Sequence, residues 1–461
     1  MYALSNGRSA FEQTLVAHLY YVLLCCQSFE CHKKPSRRFA LTGRFASCTI
    51  IQPMRYSLYV HIPFCTHRCA YCDFNTYAGQ EALIPAYVDA LCKEIEFVGS
   101  RLPSPFRRGA GGEEVHTIFF GGGTPSLLSP PQFDSIFKSI RSAFALTSDP
   151  EITLEANPGT VSYEALCQLR EIGFNRLSFG VQSANAFELR MLERTHDFFD
   201  VIEAVTSARK AGFTNLNLDL IYGLPEQTLE TWQTTVCRIL DLHPEHISAY
   251  ALTLEHGTPF GRWASRGLLP LPDPDLAAEM YEWLGETLEA SGYIHYEISN
   301  WAKTASEFRI QISDFMCRHN LQYWRSLPYL GFGAGAHGYA KGYRYSNVLR
   351  IKTYIERITN YHSTKYQSAN YQFPLSPATV NHHKQTLKDD MSEYMLNTLR
   401  LVQAGVAEAD FRFRFGRGLL DVYGREVEDL LRSDLLERNG NAYRLTPRGR
   451  LLGNRVFVRF V

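Results

Sequence analysis

Three cysteines between residues 65 and 72 have the types and spacing to hold a metal centre. They form Cys65-x3-Cys69-x2-Cys72 and directly follow an apolar run. Three thiolates so spaced can bind three corners of a cube-shaped [4Fe–4S] cluster, which leaves the fourth iron open to a small molecule. Zinc would need a fourth ligand, such as His61 or His67, but structural zinc sites usually pair two knuckles and no second Cys-x2-Cys occurs. The spacing therefore predicts a [4Fe–4S] cluster.

A glycine-rich loop is the second feature with chemical potential. It reads Gly121-Gly122-Gly123-Thr124-Pro125. Glycines let a backbone approach a ligand closely and present its N–H or carbonyl groups. A phosphate-binding loop is not indicated, because no Gly-Lys-Ser/Thr follows. Taken alone, the loop also fits a plain turn.

The elements that must position these residues alternate between strands and helices. Six short runs are predicted as strands: Ser57–Ile62, Val115–Phe120, Glu151–Ala156, Arg176–Phe179, Leu216–Ile221 and His246–Ala251. Apolar residues recur at helical spacing from Phe133 to Phe144 and from Tyr87 to Val98. Successive strand–helix units predict parallel strands with right-handed crossovers, in a barrel or in an open doubly wound sheet. Both folds gather reactive groups at the carboxyl ends of the strands, where the cysteines and glycines fall.

The character of the chain changes after residue 379. Two predicted helices, Met391–Val402 and Gly424–Arg432, precede a hairpin of Leu435–Arg438 with Ala442–Leu445. This order resembles a winged helix, although the neutral charge of the chain favours an accessory domain without a nucleic-acid role. We divide the chain into an N-terminal extension (1–53), a β/α core (54–300), a connector (301–378) and a small C-terminal α/β domain (379–461).

Composition narrows the class of protein. Lys+Arg and Asp+Glu each number 47, so the formal net charge is zero and no nucleic-acid partner is expected. The 11 cysteines lack the spacing of a disulfide framework, which indicates metal ligation in a reducing compartment and a cytoplasmic protein. No stable membrane span is expected, because the apolar stretch Leu15–Phe29 is interrupted by His18 and Gln27. Residues 1–53 are rich in Lys/Arg and poor in acids, which fits either an organellar targeting peptide or a start codon assigned too early.

The run Tyr59-Val-His-Ile-Pro-Phe-Cys65, together with the cysteine triad, resembles the radical S-adenosylmethionine (SAM) proteins of the oxygen-independent coproporphyrinogen III oxidase group. The likeness extends from about Tyr56 to the C-terminus and implies a partial β/α barrel. It also implies that SAM binds at the open iron and is reduced to methionine and a 5′-deoxyadenosyl radical. The positions that match SAM-binding residues of the family are Tyr59, Tyr71, Gly122, Gly123, Thr124, Glu155, Gln182, Arg194, Asp219 and Ala251.

Two features separate this chain from the porphyrinogen-oxidising members. Those members resemble Cys-x3-Cys-x2-Cys-Gly-Cys, whereas Asp73 and Phe74 follow the third cysteine here. The chain also carries an H-N-x-x-Y-W signature from His319 to Trp324. Both features are similar to the heme chaperone branch of the family. The resemblance makes His319 the expected heme ligand, with Tyr323 and Trp324 packing on the porphyrin.

Alternatives to that ligand remain open. His319 also fits a structural histidine beneath the barrel, and His337, within Gly331–Gly338, is a second candidate. The stretch Thr304–Met316, just before the signature, is longer than its counterpart in the family, so the geometry of His319 depends on how this stretch is accommodated.

The sequence thus favours heme binding and transfer to an acceptor protein, with a SAM-coordinated [4Fe–4S] cluster in a supporting role. The alternative is an oxygen-independent coproporphyrinogen III oxidase that uses the radical for oxidative decarboxylation. No catalytic residue is assigned, and whether the chain is an enzyme stays open. A winged-helix module coupled to RNA modification is the least supported interpretation.

Overall fold

The computed structural model describes residues 55–102, 114–304, 315–361 and 371–461. Residues 1–53 and most of the Thr304–Met316 stretch lie outside the described residues. Within the described ranges, no helix is both long and apolar enough to cross a membrane.

Strands and helices alternate along the first two thirds of the chain, as the sequence predicts. The strands of the described residues are β1 (Arg55–Ile62), β2 (Phe64–Cys65), β3 (Tyr77–Ala78), β4 (Glu114–Gly122), β5 (Ala145–Ala156), β6 (Arg176–Gln182), β7 (Leu216–Tyr222), β8 (His246–Ala251), β9 (Tyr293–Glu297), β10 (Asn300–Lys303), β11 (Tyr329–Phe332), β12 (His337–Ala340), β13 (Tyr343–Asn347), β14 (Thr379–Lys384), β15 (Val406–Ala407), β16 (Leu436–Asn439) and β17 (Ala442–Leu445). The α-helices are α1 (Ile84–Gly99), α2 (Pro130–Ala143), α3 (Tyr163–Ile172), α4 (Ala186–Met191), α5 (Phe198–Lys210), α6 (Leu229–Leu240), α7 (Pro259–Ser265), α8 (Pro274–Ala290), α9 (Arg318–Trp324), α10 (Ile351–Thr359), α11 (Leu387–Thr398), α12 (Glu408–Phe415), α13 (Leu419–Arg432), α14 (Pro447–Leu451) and α15 (Gly453–Phe457).

Twelve of the strands form one mixed sheet in the order β14-β13-β12-β11-β1-β4-β5-β6-β7-β8-β10-β9. The central strands from β11 to β8 pair in parallel, and they include all six strands predicted from the sequence. Antiparallel strands extend both edges, and the terminal strands β9 and β14 do not pair with each other in the described sheet. The predicted partial β/α barrel is therefore confirmed.

Helix α2 shows why the helical stripes pack as predicted. Its N-cap Ser129 forms a capping box with Gln132, and two prolines occupy the first turn, where a missing N–H does no harm. Its apolar face carries Phe133 and Phe137, which are fully buried and meet Phe120 of β4 at ring centroid distances of 5.4 and 5.5 Å. This face covers the sheet and forms one side of the main core.

A buried carboxylate joins helix α1 to the edge strands of the sheet. Glu94 is 1% exposed and accepts four hydrogen bonds, from the Gly333 N–H (2.8 Å), Asn347 Nδ2 (2.8 Å), Tyr354 Oη (2.7 Å) and Ser376 Oγ (2.7 Å). Burial raises the pKa of Glu94, while the four donors act in the opposite direction. We call this group the Glu94 cluster.

The C-terminal region builds a second core of its own, with buried residues from Met391 to Phe460. The order of α11, β15, α12, α13 and the hairpin β16–β17 is that of a winged helix, and the predicted hairpin is present. Strand β14 nevertheless pairs with β13 in the main sheet, because Tyr343 to Asn347 lie beside it in antiparallel register. Residues 379–384 and the strands within 301–378 thus pair in the same sheet as the strands of the β/α core.

Candidate cofactor site at the mouth of the barrel

The three clustered cysteines lie in one loop at the carboxyl edge of the sheet. Cys65 ends β2, directly after β1, and the Cys72 N–H donates to the Cys69 carbonyl at 3.1 Å. Arg68 Nη2 holds the loop by donating to the carbonyls of Cys72 (3.2 Å) and Phe74 (3.3 Å). All three thiols are free, so they stay available as ligands.

Each of these thiols has a polar side chain beside its sulfur. Thr124 Oγ1 donates to Cys65 Sγ at 3.6 Å, and Arg194 Nη1 donates to Cys69 Sγ at 3.7 Å. Thr76 Oγ1 lies 3.9 Å from Cys72 Sγ. Burial raises the pKa of the Cys65 and Cys72 thiols, and the neighbouring hydroxyls act against that rise. Three soft donors in one loop, each supported by a hydrogen-bond donor, fit a [4Fe–4S] cluster.

The histidines that zinc could recruit are arranged differently. His61 Nδ1 lies 2.9 Å from Tyr59 Oη, and its Nε2 lies 3.0 Å from the Asn75 carbonyl. Burial lowers the pKa of His61 to about 4, so its ring is neutral and both nitrogens are engaged. His67 Nε2 faces Glu193 at 3.2 Å on the surface. Among the described residues no group of three or more His, Cys, Asp or Glu side chains could hold a single metal ion.

The glycine loop is shaped mainly by the protein around it. A Cβ on Gly122 (φ +115°) would meet the His61 ring, and one on Gly123 would meet the Phe64 carbonyl. The N–H groups of Gly122, Gly123 and Thr124 donate to Glu155 Oε2 (3.0 Å), to the Ile62 carbonyl (2.9 Å) and to the Phe64 carbonyl (2.8 Å), respectively. The N–H groups of these three residues are therefore all engaged within the protein.

Two carboxyl groups enter the barrel interior below this loop. Glu155 and Asp219 line a cavity of about 180 Å³ together with Tyr59. Burial, and then the nearby Asp219 charge, raise the pKa of Glu155 to about 8, so this group holds a proton at neutral pH. Asp219 accepts from Ser178 Oγ (2.9 Å) and Asn217 Nδ2 (2.8 Å), and burial raises its pKa as well.

The remaining SAM candidates surround the cysteine loop. Arg194 Nη2 donates to Asn157 Oδ1 (2.6 Å) and to the Gly180 carbonyl (2.7 Å). Gln182 ends β6 with φ +68°, a conformation that few non-glycine residues adopt and that clusters at functional sites. The Tyr71 and Phe260 rings pack with their centroids 6.4 Å apart. Ala251 is exposed at the end of β8. Gln182 and Ala251 thus lie at strand ends, while Arg194 lies beside the cysteine loop and Tyr71 within it.

The H-N-x-x-Y-W signature lies at the opposite end of the barrel. It forms helix α9, whose first N–H groups, from Arg318 and His319, donate to the Glu151 carboxylate at 3.0 Å each. Gln322 Nε2 donates to the Arg55 carbonyl at the beginning of β1, at 3.1 Å. Helix α9 therefore closes the barrel at the amino ends of the strands, whereas the cysteine loop lies at their carboxyl ends.

His319 is enclosed in that position. It is 1% exposed, and burial lowers its pKa to about 3. Thr117 Oγ1 donates to Ser57 Oγ (2.6 Å), so the His319 Nδ1–H donates to Thr117 (2.8 Å) and Nε2 accepts from Tyr323 Oη (2.8 Å). Its single lone pair is thus occupied, and ligation of heme iron would require His319 to exchange that bond. The arrangement is that of the structural histidine beneath the barrel.

The two aromatic residues of the signature point in different directions. The Tyr323 ring contacts His319 and Tyr329, at centroid distances of 4.9 and 4.5 Å. Trp324 instead stacks under the Arg400 guanidinium, 4.5 Å from the ring centroid, where the C-terminal domain meets the barrel. The expectation that both rings pack on one porphyrin face therefore does not match this structure.

Three residues of the site were missed in the sequence. Asn157 links Arg194 to Thr124, since its Nδ2 donates to Thr124 Oγ1 at 3.1 Å. Its position just after β5 was the available signal, because polar strand ends gather at the mouth. Thr76 and Arg176 carried no signal in the sequence.

Comparisons with known proteins agree with this geometry. The model of the radical SAM superfamily matches residues 59–237, and that of the HemN C-terminal domain matches residues 385–452. The heme chaperone HemW of Bacillus subtilis is 38% identical over 406 residues, which cover 88% of this chain and 99% of the relative. This chain belongs to the HemW family of heme chaperones. HemW of Escherichia coli is 40% identical over 283 residues (61% of this chain, 69% of the relative).

Two further comparisons add the fold and an organellar relative. The solved structure of E. coli coproporphyrinogen III oxidase, HemN, has a TM-score of 0.72 at 24% identity and covers 89% of this chain and 91% of that one, which shows the fold. The bovine relative named radical S-adenosyl methionine domain-containing protein 1, mitochondrial, is 38% identical over 288 residues (62% of this chain, 60% of the relative). Radical SAM domain and HemW family membership together imply a [4Fe–4S] cluster, SAM and heme as cofactors.

Proposed function

We propose that this protein binds heme and transfers it to an acceptor protein, with a [4Fe–4S] cluster on Cys65, Cys69 and Cys72. The observation that carries the proposal is the 38% identity to a HemW heme chaperone over nearly the whole length of that relative. The exposed Phe74 (64%) lies where the oxidising members are expected to carry a further cysteine, which supports the chaperone over the oxidase.

The SAM site of this proposal surrounds the cysteine loop. Cys65, Cys69 and Cys72 would hold the cluster, whose open iron would supply an electron to bound SAM. Arg194, whose guanidinium lies beside Cys69 and Asn157, suits the carboxylate of an amino acid. Protonated Glu155 and the hydrogen-bonded Asp219 suit the hydroxyl groups of a ribose. The full proposed set is Tyr59, Tyr71, Gly122, Gly123, Thr124, Glu155, Gln182, Arg194, Asp219 and Ala251.

Two imidazoles are proposed as heme ligands, and they differ in exposure. His319 keeps the prediction from the H-N-x-x-Y-W signature, but its lone pair is engaged by Tyr323. His337 is exposed at the beginning of β12, on the same side of the barrel as the cysteine loop, and its electrostatic effect reaches His61. Exposure favours His337 as the first ligand for an incoming heme.

The proposal also includes a cytoplasmic location and no nucleic-acid partner. Arginines of the winged-helix domain are engaged within the chain: Arg444 with Glu437 (2.6 Å), and Arg414 with the Ser326 carbonyl (2.6 Å). Such engagement leaves fewer cations for phosphates. Mitochondrial targeting by residues 1–53 is the alternative location, which the name of the bovine relative supports.

One anaerobic preparation tests the proposal. Iron, sulfide, heme binding and conversion of coproporphyrinogen III with SAM are measured on the same sample. We expect a cluster that is lost in Cys65→Ala, Cys69→Ala and Cys72→Ala but kept in Cys92→Ala, together with heme binding and no decarboxylation. Titration of His319→Ala beside His337→Ala identifies the ligand. Catalytic formation of protoporphyrinogen by the parent would replace the chaperone by the oxidase.

A further inference from the structure

The cavity inside the barrel extends below the proposed SAM residues. Its volume is about 180 Å³, and its wall continues from Glu155 and Asp219 to Arg176, His319 and Tyr323. Helix α9 closes its lower end, while Tyr250, which is 44% exposed, lines it at the end of β8. The cavity thus extends from the carboxyl ends of the strands down to helix α9.

Arg176 contributes an unused cation to this cavity. It begins β6 and is only 2% exposed. Its guanidinium makes no hydrogen bond or ion pair with any residue that the structure describes, and its Nε is a buried donor without a partner. A guanidinium carries five N–H donors, and an unsatisfied buried donor costs about 1–3 kcal/mol, more when it is charged.

The nearby acids raise the pKa of Arg176 without accepting its hydrogen bonds. Burial acts to lower the pKa of Arg176, but Cys317 and Glu151, and more weakly Asp219, outweigh it and raise the pKa. The oxygens of Glu151 already accept backbone N–H groups of helix α9, and those of Asp219 accept from two side chains. Arg176 itself lines the cavity, so a ligand in the cavity can accept hydrogen bonds from its guanidinium.

The N–H groups of the Arg176 guanidinium fit a planar hydrogen-bond acceptor that carries a single negative charge. A carboxylate accepts two parallel N–H bonds from a guanidinium, and this pairing is among the strongest in proteins. The hydroxyls of Ser178 and Ser248 line the same wall and can satisfy remaining lone pairs. A phosphate dianion would add a second negative charge close to Asp219, which disfavours it.

We propose that the cavity below the SAM residues is a binding site for a carboxylate group, held by Arg176. The carboxylate is either a free small acid or, if the proposed function holds, a propionate arm of heme. A porphyrin ring is too large for the cavity, so only an arm of heme can enter it.

The test uses the full chain with its cluster, in the parent, in Arg176→Met and in Arg209→Met as the matched control. Arg209 pairs with Glu245 at 2.8 Å, and it does not line the cavity. Melting temperatures are measured with sodium propionate, propionamide and sodium chloride at equal concentration. We expect propionate to raise the melting temperature of the parent and of Arg209→Met but not of Arg176→Met, and neither other solute to match it.

Two results would overturn the proposal: an equal response of Arg176→Met, or an equal effect of propionamide or chloride on the parent. If Arg176→Met does not fold, Arg176→Lys keeps the charge without the fork, and we expect propionate to bind it at least about tenfold more weakly. Unchanged binding there would also overturn the site.

Heme and its dimethyl ester distinguish the two sources. If esterification weakens heme binding at least about tenfold in the parent and not in Arg176→Met, the carboxylate is a propionate arm. If esterification has no effect while the propionate response holds, the site takes a free acid. Failure to bind heme at all would remove the proposed function, whereas the propionate response would still decide the role of Arg176.

Discussion

The Glu94 cluster and the cavity around Arg176 are two buried charged regions of the same barrel, and they are built differently. Glu94 is 1% exposed and receives four side-chain or backbone hydrogen bonds from elements on the sheet edge. Arg176 is 2% exposed and, among the described residues, forms none.

This difference distinguishes a buried charge with a structural role from a buried charge that is available to bind a ligand. A buried carboxylate with four donors fixes the elements that carry those donors, because each would lose a partner if the carboxylate moved. A buried guanidinium with free donors beside a cavity holds no other element in place through hydrogen bonds. The free-energy cost of its unsatisfied donors is offset only when a ligand accepts hydrogen bonds from them.

The largest effect is expected for Glu94→Ala. Four buried donors lose their acceptor, and we expect a loss on the order of 4 kcal/mol or more. Urea denaturation measures it. Glu96→Ala is the matched control on the same helix, since Glu96 is exposed and, within the described part of the chain, its carboxylate accepts a hydrogen bond from Ser139 alone (2.7 Å). A loss no larger than that of the control would contradict the structural role.

Ser376→Ala removes a single donor of the Glu94 cluster. Its hydroxyl donates to Glu94 (2.7 Å) and accepts from the Ala378 N–H (3.1 Å). The other three donors stay in place, so we expect a loss of about 1–2 kcal/mol by the same denaturation. If the loss in free energy of unfolding equals that of Glu94→Ala, the four hydrogen bonds do not contribute separately, and the stability of the cluster depends on Ser376 alone.

Glu155→Gln sharpens the comparison at the cavity mouth. The folded-state pKa of Glu155 is raised from 4.5 to about 8, so the folded protein holds a proton that the unfolded chain releases. Stability therefore falls as pH rises from about 4.5 through 8, and it is fully present below that window. Glutamine stays neutral, so we expect Glu155→Gln to be more stable than the parent at pH 8.5, on the order of 1–3 kcal/mol, and to converge with it at pH 5. If the melting temperatures of the parent and of Glu155→Gln differ by the same amount at every pH from 5 to 8.5, the pKa of Glu155 is not raised.

Arg176→Met is expected to have the smallest effect. Methionine fills similar space and leaves no buried donor unsatisfied, so the melting temperature of the ligand-free protein should stay the same or rise. Differential scanning calorimetry beside Glu94→Ala makes the contrast direct. A loss comparable to that of Glu94→Ala would mean that Arg176 is held structurally by Glu151 and Asp219, and the two regions would then be alike.

Much of the scaffold could be predicted because its signals are local. The apolar stripe from Phe133 to Phe144 and the six β-branched runs follow from side-chain periodicity, which the backbone geometry imposes wherever the chain lies. The cysteine triad is equally local, since three ligands within eight residues can share one loop. Helix ends were less well predicted: the first helix of the C-terminal domain begins at Leu387 rather than Met391.

Only the tertiary structure decided which side chains meet. His319 and the cysteines belong to one resemblance, yet α9 lies under the amino ends of the strands and the cysteines lie over the carboxyl ends. Arg176 reads as an ordinary residue at the beginning of a strand. Arg176 lines a cavity and has no hydrogen-bond partner in the described part of the chain for two reasons. One is the order of the strands in the sheet, and the other is that Glu151 and Asp219 accept hydrogen bonds from other groups. Periodicity specifies which face of an element is buried, but pairing across the sheet, which joins residues far apart in sequence, specifies what that face contacts.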